Sequence, residues 1–434
     1  MRLVILGQSV SAIKAVEVLR AQDKEMDITV VASDPNPAAN RHLFPALVAH
    51  QLTRANVMEH DQKFYQDFGI TVISDKKINR INFNRKTIFF EDKDRLEYDQ
   101  LVIAAPEKDV FPEIKGTNRE GIFSLRTLAQ VDRLNYMAAQ LDAVIVESDG
   151  INGIRFALAL QQQGKETILC LPTGKILPGV VDDEVSEMTI SFLQQAGIRV
   201  LRSSRINEIL GERDVKAVRL NSGKVLAAEA VIYPDALPDL RAFRSDDLTC
   251  AERIATDDVC CTSVPGVFAI DEAADLSVRL RTDLCDPEAW LRQQAERLLA
   301  GLEQRSFEAP ALVMNCRIDI PEHPIDLLGD AAGGEGVVVY DARDEQGLLL
   351  KRIFVKNNVV VGAIFRDNNV GKADVMEVLL QEGLSEERLA GLVAGCQWQE
   401  PGQPVSAKPS GENQQVAPSE PPLSENTLDH APSS

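Results

Sequence analysis

The sequence predicts an α/β protein made of two similar strand-helix-strand halves, a small α+β domain behind them, and a tail without structure. Three observations predict it. A βαβ pattern opens the chain, and a second begins at Ala143. The segment from Leu312 to about Val393 differs in kind, with β-rich runs at Val337 to Tyr340, Leu348 to Val355 and Val359 to Phe365 before its helices. A duplicated unit in a chain of 434 residues, 44% of them apolar, sets two or three separately cored domains as the scale.

Leu3 to Leu6 is a short apolar run and reads as a buried strand. Ala12 to Ala21 repeats Ala12, Ala15, Val16 and Leu19 at helical spacing, and Ile28 to Val31 is the second strand. Asp34-Pro35-Asn36-Pro37 breaks the pattern with turn residues. Ile70 to Ile73, Ile81 to Phe83, Lys86 to Phe90 and Tyr98 to Ala105 read as strands, and Lys115-Gly116 starts a crossing segment. The second unit runs from Ala143 through a helix beginning near Gly150 to a strand at Thr167 to Leu171. A helix follows from about Asp183 to Ala196, then strands near Ile198 to Leu201, Val215 to Leu220 and Ala230 to Tyr233. Thr262 to Ala269 is a loop entering a buried strand, and Pro287 to Leu302 is a helix. Residues 396 to 434 are expected to form a disordered tail, because from Glu400 onward the chain has seven prolines and almost no large apolar side chain to offset its conformational entropy.

The net charge of -20 argues against nucleic acid and against anionic membrane surfaces, both of which would repel the chain. No apolar run approaches the roughly 18 to 20 residues of a membrane span. Met1 leads straight into the first strand, so no signal peptide is expected and a cytoplasmic location is. Seven cysteines with scattered spacing form neither a disulfide framework nor a dithiol relay; Cys260-Cys261 is the only close pair. The five histidines show no ligand spacing, so no metal site is expected.

Each unit carries a turn of one kind between its first strand and its helix. The first reads Gly7-Gln8-Ser9-Val10-Ser11-Ala12, the second Ser148-Asp149-Gly150-Ile151-Asn152-Gly153. Both are altered forms of the Gly-x-Gly-x-x-Gly fingerprint of dinucleotide binding. Its first glycine permits a tight turn, its second lets backbone approach a pyrophosphate, and its third lets helix and strand pack closely. In the first, Gly7 keeps the turn, the Ser9 hydroxyl can donate to phosphate, and Ala12 is small enough to pack. In the second, Gly150 and Gly153 are intact and Ser148 takes the tight-turn position, flanked by Glu147 and Asp149 where a pyrophosphate would sit. The fold class is therefore α/β, with two Rossmann-like three-layer dinucleotide-binding domains, a small C-terminal α+β domain and a disordered tail.

Several stretches together resemble the pyridine nucleotide-disulphide oxidoreductase superfamily, and within it the FAD-dependent rubredoxin and ferredoxin reductases and the flavin module of NADH-dependent nitrite reductase. They are Ile28 to Arg41, Tyr98 to Ala104, Phe123-Ser124-Leu125-Arg126-Thr127, Lys175-Ile176-Leu177-Pro178 with Asp182, and Thr262 to Ala269. Leu328-Gly329-Asp330 through Tyr340 and Lys351 to Ala363 are similar to the small domain that closes the nitrite-reductase type. The resemblance implies an FAD domain over 1–112 and 236–308, split by an NAD(P) domain over 113–235, with the C-terminal domain over 309–395. It also implies hydride transfer from NAD(P)H to a flavin, and onward delivery to a rubredoxin, a ferredoxin or a reductase subunit. Self-association into a homo-oligomer is left open, as is a non-catalytic role as scaffold or sensor.

Residue by residue, the resemblance places FAD against Gly7, Ser9, Ala12, Asp34, Arg41, Ala104 and Glu272, and NAD(P)H against Gly150 and Gly153. Asp34 reads equally well as an acidic turn residue before proline, and Arg41 as a solvated arginine. Departures are frequent. Where the family has Ala-Thr-Gly-Ser this chain has Ala104-Ala105-Pro106-Glu107, and where it has Gly-Asp this chain has Asp271-Glu272. The family's lysine near the flavin falls on Ala46, its glutamate near the nicotinamide becomes Arg155, the acid for the NAD ribose becomes Leu171, and its downstream Ala-Thr-Gly turn becomes Tyr233-Pro234-Asp235. NADH is therefore expected to bind weakly or not at all, with the carboxylates of Glu147 and Asp149 and the turn geometry at Ser148 as the reason.

Overall fold

The computed structural model describes residues 1–32, 36, 38–60, 62–104, 109–235, 237–238, 240–275, 287–308, 313–367, 371–379, 381, 385–394 and 396–399. The chain opens with β1 (Arg2–Leu6), α1 (Val10–Gln22) and β2 (Asp27–Val31), followed later by β3 (Thr71–Ile73) and β4 (Gln100–Ile103). β1 pairs in parallel with β2 on one side and β4 on the other. Leu3, Val4, Ile5 and Leu6 are all buried, as a strand covered on both faces must be. Helix α1 starts where the Ser9 hydroxyl accepts the Ala12 N–H at 3.2 Å. It buries Ile13, Val16 and Leu19, each contributing roughly 1.5–3 kcal/mol.

The second half repeats this plan with β5 (Ile122–Phe123), α2 (Leu128–Ala138), β6 (Ala143–Glu147), α3 (Ile151–Gln162), β7 (Glu166–Leu171), α4 (Asp183–Gln195), β8 (Arg199–Arg202) and β9 (Ala230–Ile232). Its sheet runs β8-β7-β6-β9-β5, all parallel. The strand expected at Val215 to Leu220 is present as 217–220, and it is the middle strand of a separate antiparallel sheet with 206–210 and 225–227. Strand β10 (Val267–Ala269) then returns to the first sheet beside β4, giving the order β10-β4-β1-β2-β3. The whole second sheet thus lies, in sequence, between two neighbouring strands of the first. Helix α5 (Pro287–Leu302) packs against α1.

The remainder forms one antiparallel sheet of β11 (Asn315–Ile318), β12 (Ile325–Gly329), β13 (Val337–Arg343), β14 (Leu349–Lys356) and β15 (Val359–Arg366), with two short helices, α6 (Lys372–Val378) and α7 (Glu386–Leu392). Its last strand, β16 (Gln397–Gln399), corrects the expected start of the tail. Residues 397–399 pair antiparallel with β13, because that edge offers an unpaired ladder for backbone to complete. From 400 onward the expected tail lies outside the described residues. No helix among the described residues is long and apolar enough to cross a membrane.

Candidate functional site

Gly7 leaves β1 with φ +103°, a conformation side chains disfavour, and its N–H donates to the Val31 carbonyl at 2.8 Å. The tight turn then delivers Ser9 to the head of α1, while Ala12 and Ala104 are fully buried beneath it. Arg41 begins a short helical turn, Arg41–Leu43, fixed by the Asn40 side chain accepting the His42 N–H at 3.1 Å. Asp34 and the turn at 105–108 lie outside the described residues, and so does the side chain of Glu272.

Ser9, Asn40, Arg41, Arg126, Asp271 and Trp290 line one cleft of about 800 Å³, its open mouth included. The N-terminus of α1 and two arginines favour an anion there, and Asp271 opposes it. Asp271 sits at φ +56°, so glycine in the related pattern answered to a real backbone requirement. Its N–H donates to Gln294 Oε1 at 2.8 Å, while the buried Gln294 Nε2 has no partner among the described residues.

Arg126 was not singled out as a site residue from sequence. Its signal lies in the preceding residue, which no propensity rule flags. Leu125 is buried at φ +57°, a strained conformation for a bulky side chain. Gln130 Oε1 holds that turn by accepting the Leu125 N–H at 2.7 Å, the Ser124 hydroxyl at 2.8 Å and the Ser124 N–H at 3.1 Å.

At the second turn, the Ser148 hydroxyl accepts the Gly150 N–H at 2.9 Å and donates to the carboxylate of Asp235. A Cβ on Gly153 would stand 2.3 Å from Ser148 Cβ, so glycine there makes room for the serine. The two carboxylates expected beside the turn are engaged elsewhere. Glu147 accepts the Ile206 N–H at 2.6 Å, and burial raises its carboxyl above the ordinary range. Asp149 accepts the Thr173 N–H at 3.1 Å, in the loop after β7. The carboxylate at this turn is Asp235, which sequence reasoning noted only as part of a changed motif. Arg155 faces the C-terminal sheet, donating to the Arg317 carbonyl at 3.3 Å and approaching Cys316 Sγ at 3.6 Å.

Six cysteines are described, all free. Burial pushes the thiols of Cys170 and Cys260 up to about 12, so they stay protonated and unreactive. Cys261 shifts the same way. No vicinal or paired thiol among the described residues is set up as a redox relay.

The model of the family described as pyridine nucleotide-disulphide oxidoreductase matches residues 1–290. Nitrite reductase [NAD(P)H] of Bacillus subtilis is 22% identical over 392 residues, 89% of this chain and 48% of the relative. The ferredoxin–NAD(+) reductase component of the biphenyl dioxygenase system of Paraburkholderia xenovorans is 25% identical over 354 residues, covering 80% and 86%. The chain thus spans about half the length of the nitrite reductase and most of the smaller reductase. In the solved covalent putidaredoxin reductase–putidaredoxin complex, the fold superposes with a TM-score of 0.72 at 19% identity, covering 91% of this chain and 99% of that one. These relatives are reductases, and they give the scaffold-or-sensor reading no support. The fold is the two-domain arrangement of the FAD- and NAD(P)H-binding reductases. This chain belongs to the pyridine nucleotide-disulphide oxidoreductase family.

Proposed function

We propose that the chain is an FAD-dependent oxidoreductase that passes electrons to a redox protein, of rubredoxin or ferredoxin type, or to a reductase subunit. One observation carries the reading: an open cleft at the head of α1, walled by Arg41 and Arg126. The turn at Gly7 brings the Ser9 hydroxyl to face a diphosphate, and the two guanidiniums neutralise it. Buried Trp290 and Phe156 exclude water from the apolar side. When bound, FAD supplies a ring that takes up two electrons and releases them singly. With no dithiol among the described residues to relay them, electrons leave for an external acceptor, as the names of the relatives suggest.

We assign 1–112 with 236–308 to the flavin half, 113–235 to the second dinucleotide half and 309–395 to the C-terminal domain, in a cytoplasmic protein. The test is flavin content. Purified protein, or protein soaked in FAD and desalted, should carry the absorbance of bound flavin. Gly7→Val should lose it while still melting cooperatively. Wild-type protein that stays colourless after soaking overturns the reading.

A further inference from the structure

The second dinucleotide half has a carboxylate at its fingerprint turn. Its helix α3 has Gly150 as N-cap with no side-chain cap of its own, which would leave the helix end to an anion. Asp235 supplies one. Its carboxylate accepts the Ser148 hydroxyl hydrogen, and both its oxygens would stand 3.1 Å from a Cβ on Gly150. Ser148 in turn accepts the Gly150 N–H at 2.9 Å, so carboxylate, hydroxyl and helix N–H form one chain of hydrogen bonds. The second glycine is the position at which the fingerprint admits a pyrophosphate to backbone. The carrier of Asp235 is also fixed. The Tyr233 N–H donates to the Phe123 carbonyl at 2.8 Å, and buried Pro234 follows, locking φ just before the aspartate.

We propose that Asp235 is a specificity-determining residue: its carboxylate takes the anion position at the head of α3, and so sets the chain against the pyrophosphate of NAD(P)H. A pyrophosphate arriving there meets a like charge already hydrogen-bonded to the turn, and gains the helix end only by displacing it. The inference concerns the nicotinamide side of the proposed oxidoreductase, but it depends on the second half alone. The residues present do not fit NAD(P)H in this arrangement, and Glu147, committed to Ile206, has no part in that.

Calorimetric titration of NADH, NADPH and ADP-ribose into the full chain tests it, whether or not flavin is retained. Asp235→Gly should raise affinity at least about tenfold. Asp235→Asn, nearly isosteric and able to meet Ser148, should give a smaller gain and carries the test if the glycine variant does not fold. Glu147→Gln should change nothing. Wild-type affinity equal to that of Asp235→Gly overturns the inference, as does a folded pair of Asp235 variants with no gain, or an equal gain from Glu147→Gln. A colourless protein would instead overturn the flavin reading and leave this result standing.

Discussion

Arg352 of β14 donates to Asp182, the residue that caps α4, across 170 residues of sequence. The Asp182 carboxylate has two tasks, since its other oxygen accepts the Val185 N–H at 2.9 Å. Around this contact Arg352 Nε reaches Asp341 Oδ1 at 2.7 Å, and its Nη2 lies 2.5 Å from both Asp341 and Glu184. Arg343 adds a bond to Glu184 at 2.6 Å. The guanidinium of Arg352 and the carboxylate of Asp341 are each about 1% exposed, so neither can turn to water if its partner is lost.

Replacing Arg352 by methionine should therefore lower stability by about 3–5 kcal/mol, the cost of a buried charge left unpaired. Asp341→Leu added to it should recover part of that loss by removing the stranded carboxylate. Denaturant unfolding of both single variants and the double variant measures the coupling; three additive values would show that the pair acts independently.

The same cluster sets an acid limit. Burial alone would raise the Glu184 carboxyl, but hydrogen bonds and charge from Arg343 and Arg352 overcome it and hold the group below the ordinary carboxylate range. A depressed folded pKa means that the contribution is complete above the unfolded value, about 4.3, and is lost as pH falls through the folded one. Glu184→Gln should flatten this acid limb of the stability profile. An unchanged limb in that variant would place the acid sensitivity elsewhere.

Asp271→Gly should act on the first cleft in two ways. Relief of the positive φ, set against the freedom glycine adds to the unfolded chain, should leave stability unchanged or higher by up to about 1 kcal/mol. Removing a carboxylate from an anion-favouring cleft should tighten FAD by about tenfold, equivalent to roughly 1.4 kcal/mol. Equilibrium dialysis of flavin reads the second effect, and weaker retention would refute it.

Much of the scaffold was legible because periodicity is local. Leu3 to Leu6 and Ala143 to Val146 announce buried strands, and Ala12, Ala15, Val16 and Leu19 announce a helix face, without reference to the rest of the chain. The turn at Gly7 was legible for the same reason. Asp235 was not, since it meets Ser148 from 87 residues away, only because β9 lies beside β6 in the sheet. The side on which Glu147 would be engaged was equally hidden, being decided by the Ile206 amide on a hairpin that sequence alone could not dock. Arg126 was read only as part of a matching stretch and not as a site residue, because its place depends on a left-handed leucine, which propensity argues against.

Strand β16 has a consequence for how this molecule meets others. Without it, β13 would present a bare row of amides and carbonyls at Val339, Tyr340 and Asp341, a template onto which any extended segment, including another copy's, could zip. Three residues of backbone close that seam. A cleavage just after residue 399 would leave these pairs in place, whereas one a few residues earlier would replace a three-residue margin with the longer bare edge of β13, the better template for another chain.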